Sequence, residues 1–246
     1  MVDNLCNMSD RRKVVANKLK IIAIIPARMG SKGLKNKNIL KIHGKSLLEY
    51  AIINAKKSKY INHVSVSTDS KKIQFIAKKN NVNCDKLRPK IISGDRSSTS
   101  DAIKHALKHL SYKPDYIVEL HPTYIFRKTK TIDNAIELLI KNKKFDSLIS
   151  INEIKNTCHP DFVISMKNKS IRYKQSPTNF NRHFLKPKFN SLGFILISKL
   201  SSFLKYKSMV AKKCMGFVVD CPKESMDINN KIEFELAKLI YNKKIF

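Results

Sequence analysis

The residues best equipped for chemistry fall in one stretch, IIAIIPARMGSKGLKNKNI, residues 21–39. Arg28, Gly30, Ser31, Lys32, Gly33, Lys35 and Lys37 crowd together directly after an apolar run. Glycines let the main chain turn tightly and bring N–H groups close to an anion. Arginine adds a planar fork of donors and lysine a mobile point charge. The combination suits a polyphosphate. It is not a Walker A loop, because Gly30 and Gly33 stand only three apart and Lys32 precedes the second glycine. Nor is there a Gly-x-Gly-x-x-Gly dinucleotide pattern. The same residues also read as a surface turn of solvated charges, since lysine is abundant throughout.

Such cations need a rigid support. Ile21, Ile22, Ile24 and Ile25 form a β-branched apolar run of the kind found in a buried strand, and Pro26 ends it. Further short strands are expected at 39–42, before a His43-Gly44 turn, and at 63–67, 116–120, 147–151, 192–197 and 217–219. Helical spacing is expected over 46–52, 71–80, 99–110, 129–141 and 230–240. Strands alternating with helices imply an α/β fold, a Rossmann-like, mainly parallel sheet with helices on both faces. Ligands in such sheets sit beyond the carboxyl ends of the strands, where the basic loop lies. Residues 152–191 contain Pro160, Pro177 and Pro187 and no long periodic segment, and read as an excursion from the core. Residues 1–19 read as a polar N-terminal extension, leaving 20–246 as a single domain.

A chain of 246 residues can bury a substantial core. Its net charge of +30 would attract anions of any kind, yet it is mostly lysine spread along the whole length. No basic block with interleaved aromatics stands out, so nucleic acid is not the expected partner. The five cysteines, Cys6, Cys84, Cys158, Cys214 and Cys221, are scattered, with no C-x-x-C, which argues against a zinc site or disulfide framework and for a reducing compartment. The first residues lack the apolar core of a secretory signal, and no apolar run approaches the roughly 18 residues of a membrane span. A soluble, cytoplasmic protein without membrane insertion is expected.

Ala27, Arg28, Ser31, Lys32, Gly33, Leu34, Lys37 and Asn38 occur in the order and spacing of a known signature. They resemble the pattern of the acylneuraminate cytidylyltransferases, the CMP-sialic acid and CMP-nonulosonic acid synthetases. The resemblance runs over roughly residues 20–240. It includes Ser65 to Asp69, Arg88-Pro89, the segment DRSSTSDAIKHAL at 95–107, Leu120-His121-Pro122-Thr123 with Arg127, His159-Pro160, residues 181–197, and Asp227-Ile228-Asn229.

The resemblance implies a nucleotide-diphospho-sugar transferase type of fold with a small dimerisation extension at 152–191, and a homodimer. It implies transfer of CMP from CTP to an acidic nine-carbon sugar, releasing pyrophosphate. Arg28, Lys32 and Lys37 would serve the triphosphate, helped by main-chain N–H groups of residues 29–33. Ala27, Gly30, Ser31 and Gly33 belong to the same nucleotide loop. Asn38, Arg88, Ser97 and Ser98 would meet the nucleoside. His121 and Arg182 would face the sugar acid, and Asp227 with Asn229 would hold Mg²⁺. The match departs where His121 replaces a glutamine, Tyr124-Ile125-Phe126 a Ser-Pro-Leu, Leu192 an asparagine and Asn229 a second metal-binding aspartate. These departures leave open a nucleotidyltransferase for another anionic sugar, such as 3-deoxy-manno-octulosonate, or a catalytically weak nucleotide-binding relative. Helix capping is the competing role for Asp69, Ser97, Ser98, Asp227 and Asn229. No motif supplies a general base.

Overall fold

The computed structural model describes residues 19–154, 159–173 and 186–243. The first strand, β1 (Ile21–Pro26), is buried over its first five residues. Its side chains alternate between the two faces of the sheet. Ile21, Ala23 and Ile25 enter one apolar cluster, and Ile22 and Ile24 enter another. A run that is apolar at every position suits a strand covered on both sides.

The chain continues through β2 (Lys41–Ile42), β3 (Lys45–Ser46), α1 (Leu47–Lys56), β4 (His63–Ser67), α2 (Lys71–Lys79), α3 (Thr99–Lys108), β5 (Tyr116–Glu119), α4 (Thr129–Lys141) and β6 (Ser147–Glu153). It closes with β7 (Ile164–Lys167), β8 (Ser170–Tyr173), β9 (Phe189–Lys199), α5 (Leu200–Tyr206), β10 (Cys214–Val218) and α6 (Lys231–Asn242). The main sheet has the order β10-β6-β9-β5-β1-β4. β1 runs parallel to β4 and β5, and β10 parallel to β6. β9 is the exception, antiparallel to both β5 and β6. The fold is therefore the expected Rossmann-like α/β sheet, mainly parallel.

Helices cover both faces. α1, α2 and α4 bury Leu48, Ile52, Ile73, Ile136 and Leu139 on one side. α3 and α5 bury Ile103 and Phe203 on the other. A third cluster sets Phe234 and Ala237 of α6 against Ile42, Leu47, Ile125 and Ile228.

Helix starts follow the local sequence. Ser46 and Glu49 form a reciprocal capping box on α1, as do Asn230 and Glu233 on α6. Ser70 caps α2 and Ser98 caps α3. Lys128, which precedes α4, has no capping side chain. Glu224 substitutes from a distant loop, accepting from Lys128 N at 3.3 Å and Thr131 Oγ1 at 2.6 Å. A carboxylate there also matches the positive end of the helix dipole.

Several expected elements differ in detail. Residues 37–39 form a 3₁₀ turn rather than the start of a strand. The preceding Asn36 has φ 58°, a left-handed conformation that asparagine tolerates. The short hairpin that follows turns at His43 and Gly44, both with positive φ. The region read as irregular contains the β7–β8 hairpin, and β6 and β9 stay paired out to Glu153 and Phe189. α5 was not expected, because its seven residues give too few turns for periodicity to register.

Candidate active site at the carboxyl edge of the sheet

β1 hands the chain to the basic loop. Pro26 pairs with Ser67, and Ala27 N donates to Ser67 O at 2.9 Å, so sheet register holds up to Arg28. Met29 N then donates to Asp69 Oδ1 at 2.9 Å. That donation takes one of the five amides expected to meet an anion. It also gives Asp69 a role in holding the loop, while Ser70 caps the helix. Buried Asn38 returns from the far end of the loop, its Nδ2 donating to Arg28 O at 2.9 Å. Its Oδ1 has no partner.

The two loop glycines differ. A Cβ on Gly33 would stand 2.5 Å from the carbonyl oxygen of Asn229, whereas one on Gly30 would meet nothing within 4 Å. Gly33 is therefore where the loop presses on the segment before α6. Lys37 reinforces that contact, its Nζ donating to Asn229 Oδ1 at 3.1 Å.

Arg28, Lys37, Asn38 and Arg88 line a cleft of about 250 Å³ at this edge. Ser97, Ser98, His121, Asp227 and Asn229 complete its walls among the expected residues. The cleft thus gathers the loop after β1, the connection between α2 and α3, the loop after β5 and the approach to α6. Ala27, Gly30, Ser31 and Gly33 shape the loop behind it, and Lys32 stands at the rim, 83% exposed. Arg182 lies outside the described residues.

Electrostatics set the site's resting state. Arg28 and Lys32 both pair with Asp95, at 2.8 Å and 2.9 Å. Their hydrogen bonds hold the Asp95 carboxyl below its usual range. Burial pushes the Lys37 ammonium below its ordinary value, helped by Arg28 and opposed by Asp227 and Glu233. Burial likewise lowers Arg88, whose Nε donates to Ser93 Oγ at 3.1 Å. Ser98 Oγ accepts from Ser100 N at 3.0 Å, so it caps α3 while lining the cleft.

Behind the third wall lies a buried polar layer. Arg127 is 2% exposed; its guanidinium donates to the carbonyls of Phe194 and His121 and stacks over the Phe194 ring at 5.5 Å. Desolvation brings its pKa down to about 9. Burial raises the Tyr124 phenol above the ordinary range, with the negative charge of nearby Asp227 adding to the effect. Leu192 packs its side chain against the main core, with its carbonyl accepting from Ser150 Oγ at 3.0 Å.

Asp227 Oδ1 is buried without a partner. A partnerless carboxylate oxygen beside a cationic cleft fits a divalent ion. The nearby Asn229 oxygen already accepts from Lys37. Glu224 and Glu233 are engaged at the starts of α4 and α6. Among the described residues no three His, Cys, Asp or Glu side chains gather into a ligand set. The donors fit Mg²⁺, which uses one or two carboxylates and takes its remaining oxygens from phosphates and water.

The sequence reading gave no role to two acids near the site, although Asp95 opens the motif at 95–107. Asp95 is the lone acid among residues 86–100, which was a usable signal. Glu119 is 1% exposed at the end of β5, a carboxylate in an otherwise apolar strand; its Oε1 lies 2.8 Å from His121 Nε2.

Residues 22–245 match the family model described as cytidylyltransferase. The chain is 33% identical over 231 residues to the N-acylneuraminate cytidylyltransferase of Escherichia coli O18:K1:H7. That match covers 92% of this chain and 53% of the relative, so the chain spans about half that protein's length. It is 29% identical to the CMP-N,N'-diacetyllegionaminic acid synthase of Legionella pneumophila, covering 89% of this chain and 95% of the relative. A solved CMP:2-keto-3-deoxy-manno-octonic acid synthetase complexed with CTP shares the fold. The TM-score is 0.70 at 13% identity, over 92% of this chain and 100% of that one. With the family model matching almost the whole length, the chain belongs to the cytidylyltransferase family.

Proposed function

We propose that this protein transfers the cytidylyl group of CTP to a sialic-type nonulosonic acid, giving the CMP-sugar and pyrophosphate. The observation that carries this reading is the cleft, where Arg28 and Lys37 from the loop after β1 and Arg88 from the α2–α3 connection converge toward Asp227, whose Oδ1 has no partner. In the proposed reaction the anomeric hydroxyl attacks the α-phosphorus in line and pyrophosphate departs. Chemistry of this type depends on positioning and charge neutralisation more than on covalent help.

Arg28, Lys32 and Lys37 hold the triphosphate, after Asp95 releases the first two. Asn38, Arg88, Ser97 and Ser98 bind the nucleoside. Asp227, with Asn229 beside it, holds Mg²⁺, which when bound offsets phosphate charge. His121 and Arg182 face the sugar acid, the arginine suited to its carboxylate. The relatives' names, which include sialic and legionaminic acid enzymes, support the acceptor class. Among the described residues no helix is long and apolar enough to cross a membrane. A homodimer built on the β7–β8 hairpin accords with its exposed Ile164, Met166 and Ile171.

The test is direct. Protein, Mg²⁺ and CTP are mixed in turn with N-acetylneuraminate, legionaminate, pseudaminate and 3-deoxy-manno-octulosonate, and pyrophosphate is measured. Release with one of the first three is expected. Release with the last alone reassigns the acceptor, and silence with all four while CTP binds rejects the activity.

A further inference from the structure

A buried carboxylate next to a histidine that lines the cleft is an expensive arrangement to keep without a purpose. Glu119 has a side chain 2% exposed, while that of His121 is 31% exposed and reaches the cleft. Glu119 Oε1 lies 2.8 Å from His121 Nε2, and Oε2 has no partner. With Glu119 as the acceptor of this bond, the proton sits on Nε2 and the lone pair on Nδ1. Nδ1 faces Gly193 of β9, where an added Cβ would stand 3.0 Å from it. A side chain at position 193 would therefore press on the imidazole, and glycine leaves the ring its place. Arg127 fixes the backbone beneath, its guanidinium donating to His121 O at 3.0 Å.

We infer that His121, which lines the cleft, is the general base of the proposed transfer, with Glu119 as the positioning residue that orients it and Gly193 as the residue whose missing side chain gives the ring room. This rests on the cytidylyltransferase reading given above. The anomeric O–H of the sugar acid gives its proton to Nδ1 as its oxygen forms the new bond to the α-phosphorus. The α–β bridging P–O bond breaks, and pyrophosphate leaves with that electron pair. The imidazolium so formed is held by the Glu119 carboxylate and returns its proton to water. A base oriented by a second acid is the usual way to fix a tautomer and steady the charge that develops. The titratable groups around this pair are Glu119 on its own strand, Arg127 beneath its carbonyl, Tyr124 nearby in sequence, and Asp227, Arg28, Lys37, Arg88 and Asp95 around the cleft. Against its ring β9 presents Gly193, which carries no charge.

The experiment follows pyrophosphate release from CTP with whichever acid the wild type accepts, across pH 5 to 9 (about the range of the imidazole), with CTP affinity measured by calorimetry. His121→Gln is expected to lower kcat by about 100-fold or more and to abolish the acid limb of the pH profile, with CTP affinity unchanged. Glu119→Gln keeps an acceptor but removes the charge that favours imidazolium, so its acid limb moves to lower pH and kcat falls about tenfold. Imidazole added to His121→Gly restores part of the rate. A His121→Gln enzyme within threefold of wild type and with an unaltered profile overturns the assignment while leaving the transferase reading intact. A wild type that releases no pyrophosphate with any acid rejects that reading, and the base assignment with it.

Discussion

Gly33→Ala isolates the contact that joins the phosphate loop to the opposite wall. The added methyl would stand 2.5 Å from Asn229 O and 3.5 Å from its carbonyl carbon, against an ordinary contact of at least 3.4 Å, so a gap of roughly 0.9 Å must open. Asn229 is the less yielding side. Its N–H donates to Glu233 Oε2 at 2.6 Å, and the same carboxylate closes the α6 capping box. The loop must therefore withdraw, stretching the 3.1 Å bond from Lys37 to Asn229 and spreading the cationic side chains. Inserting a methyl into a filled space costs about 1–3 kcal/mol. If most of that strain is relieved by displacing the loop, CTP affinity falls about 10–100-fold, at 1.4 kcal/mol per factor of ten. Isothermal calorimetry with CTP and Mg²⁺ reads the loss, and a thermal melt checks the fold. Gly30→Ala is the internal control: its added methyl meets no protein atom within 4 Å, so it should lose less CTP affinity than Gly33→Ala. Gly33→Ala binding CTP within twofold of wild type, or both variants losing affinity equally, would refute the steric argument.

Asp227→Ala removes the partnerless oxygen, so the Mg²⁺ concentration for half-maximal pyrophosphate release should rise at least about tenfold. Because Asp227 also holds the Lys37 ammonium up, the variant should lose affinity for CTP at lower pH than the wild type does, by calorimetry across an alkaline series. In the wild type, Lys37 has a depressed pKa when free, and a bound phosphate favours its charged form. CTP binding therefore takes up protons in the alkaline range, and affinity falls as pH rises through it. Lys37→Arg should flatten that slope, and an unchanged slope would assign it to another group. Ser46→Ala breaks the α1 capping box and should cost about 1 kcal/mol, lowering the melting temperature by about 2–4 °C without altering CTP affinity.

The parts of this molecule set by local sequence could be read from it. β1 and α4 fall where periodicity puts them, because an apolar β-branched run and a regular 3.6-residue stripe are local signals. The direction of β9 could not be read, since pairing between strands distant in sequence leaves no trace in the spacing of one strand. The loop cations were legible from their density. Their resting partner was not, because Asp95 lies some sixty residues away and reaches them only through the fold. Glu119 hid for a similar reason: one charge in a four-residue strand reads as an edge residue until the neighbouring strands bury it. The capping of α4 by Glu224 is likewise tertiary, with 96 residues separating it from Lys128.

The reversed central strand also constrains the order in which the molecule can assemble. β5 and β6 are consecutive in the main sheet's share of the chain, yet both bond to β9 and neither to the other. On the ribosome, β4, β1 and β5 can zip together early, with α1 and α2 already available to cover one side. β6 emerges with no completed neighbour and must wait until Lys199 has been synthesised before its ladder closes. During that interval Ile117 and Val118 lie on an unsatisfied margin, open to pairing with another nascent chain. Slow, nonlocal closure of this kind predicts that truncation before β9 yields aggregating material rather than a smaller stable half.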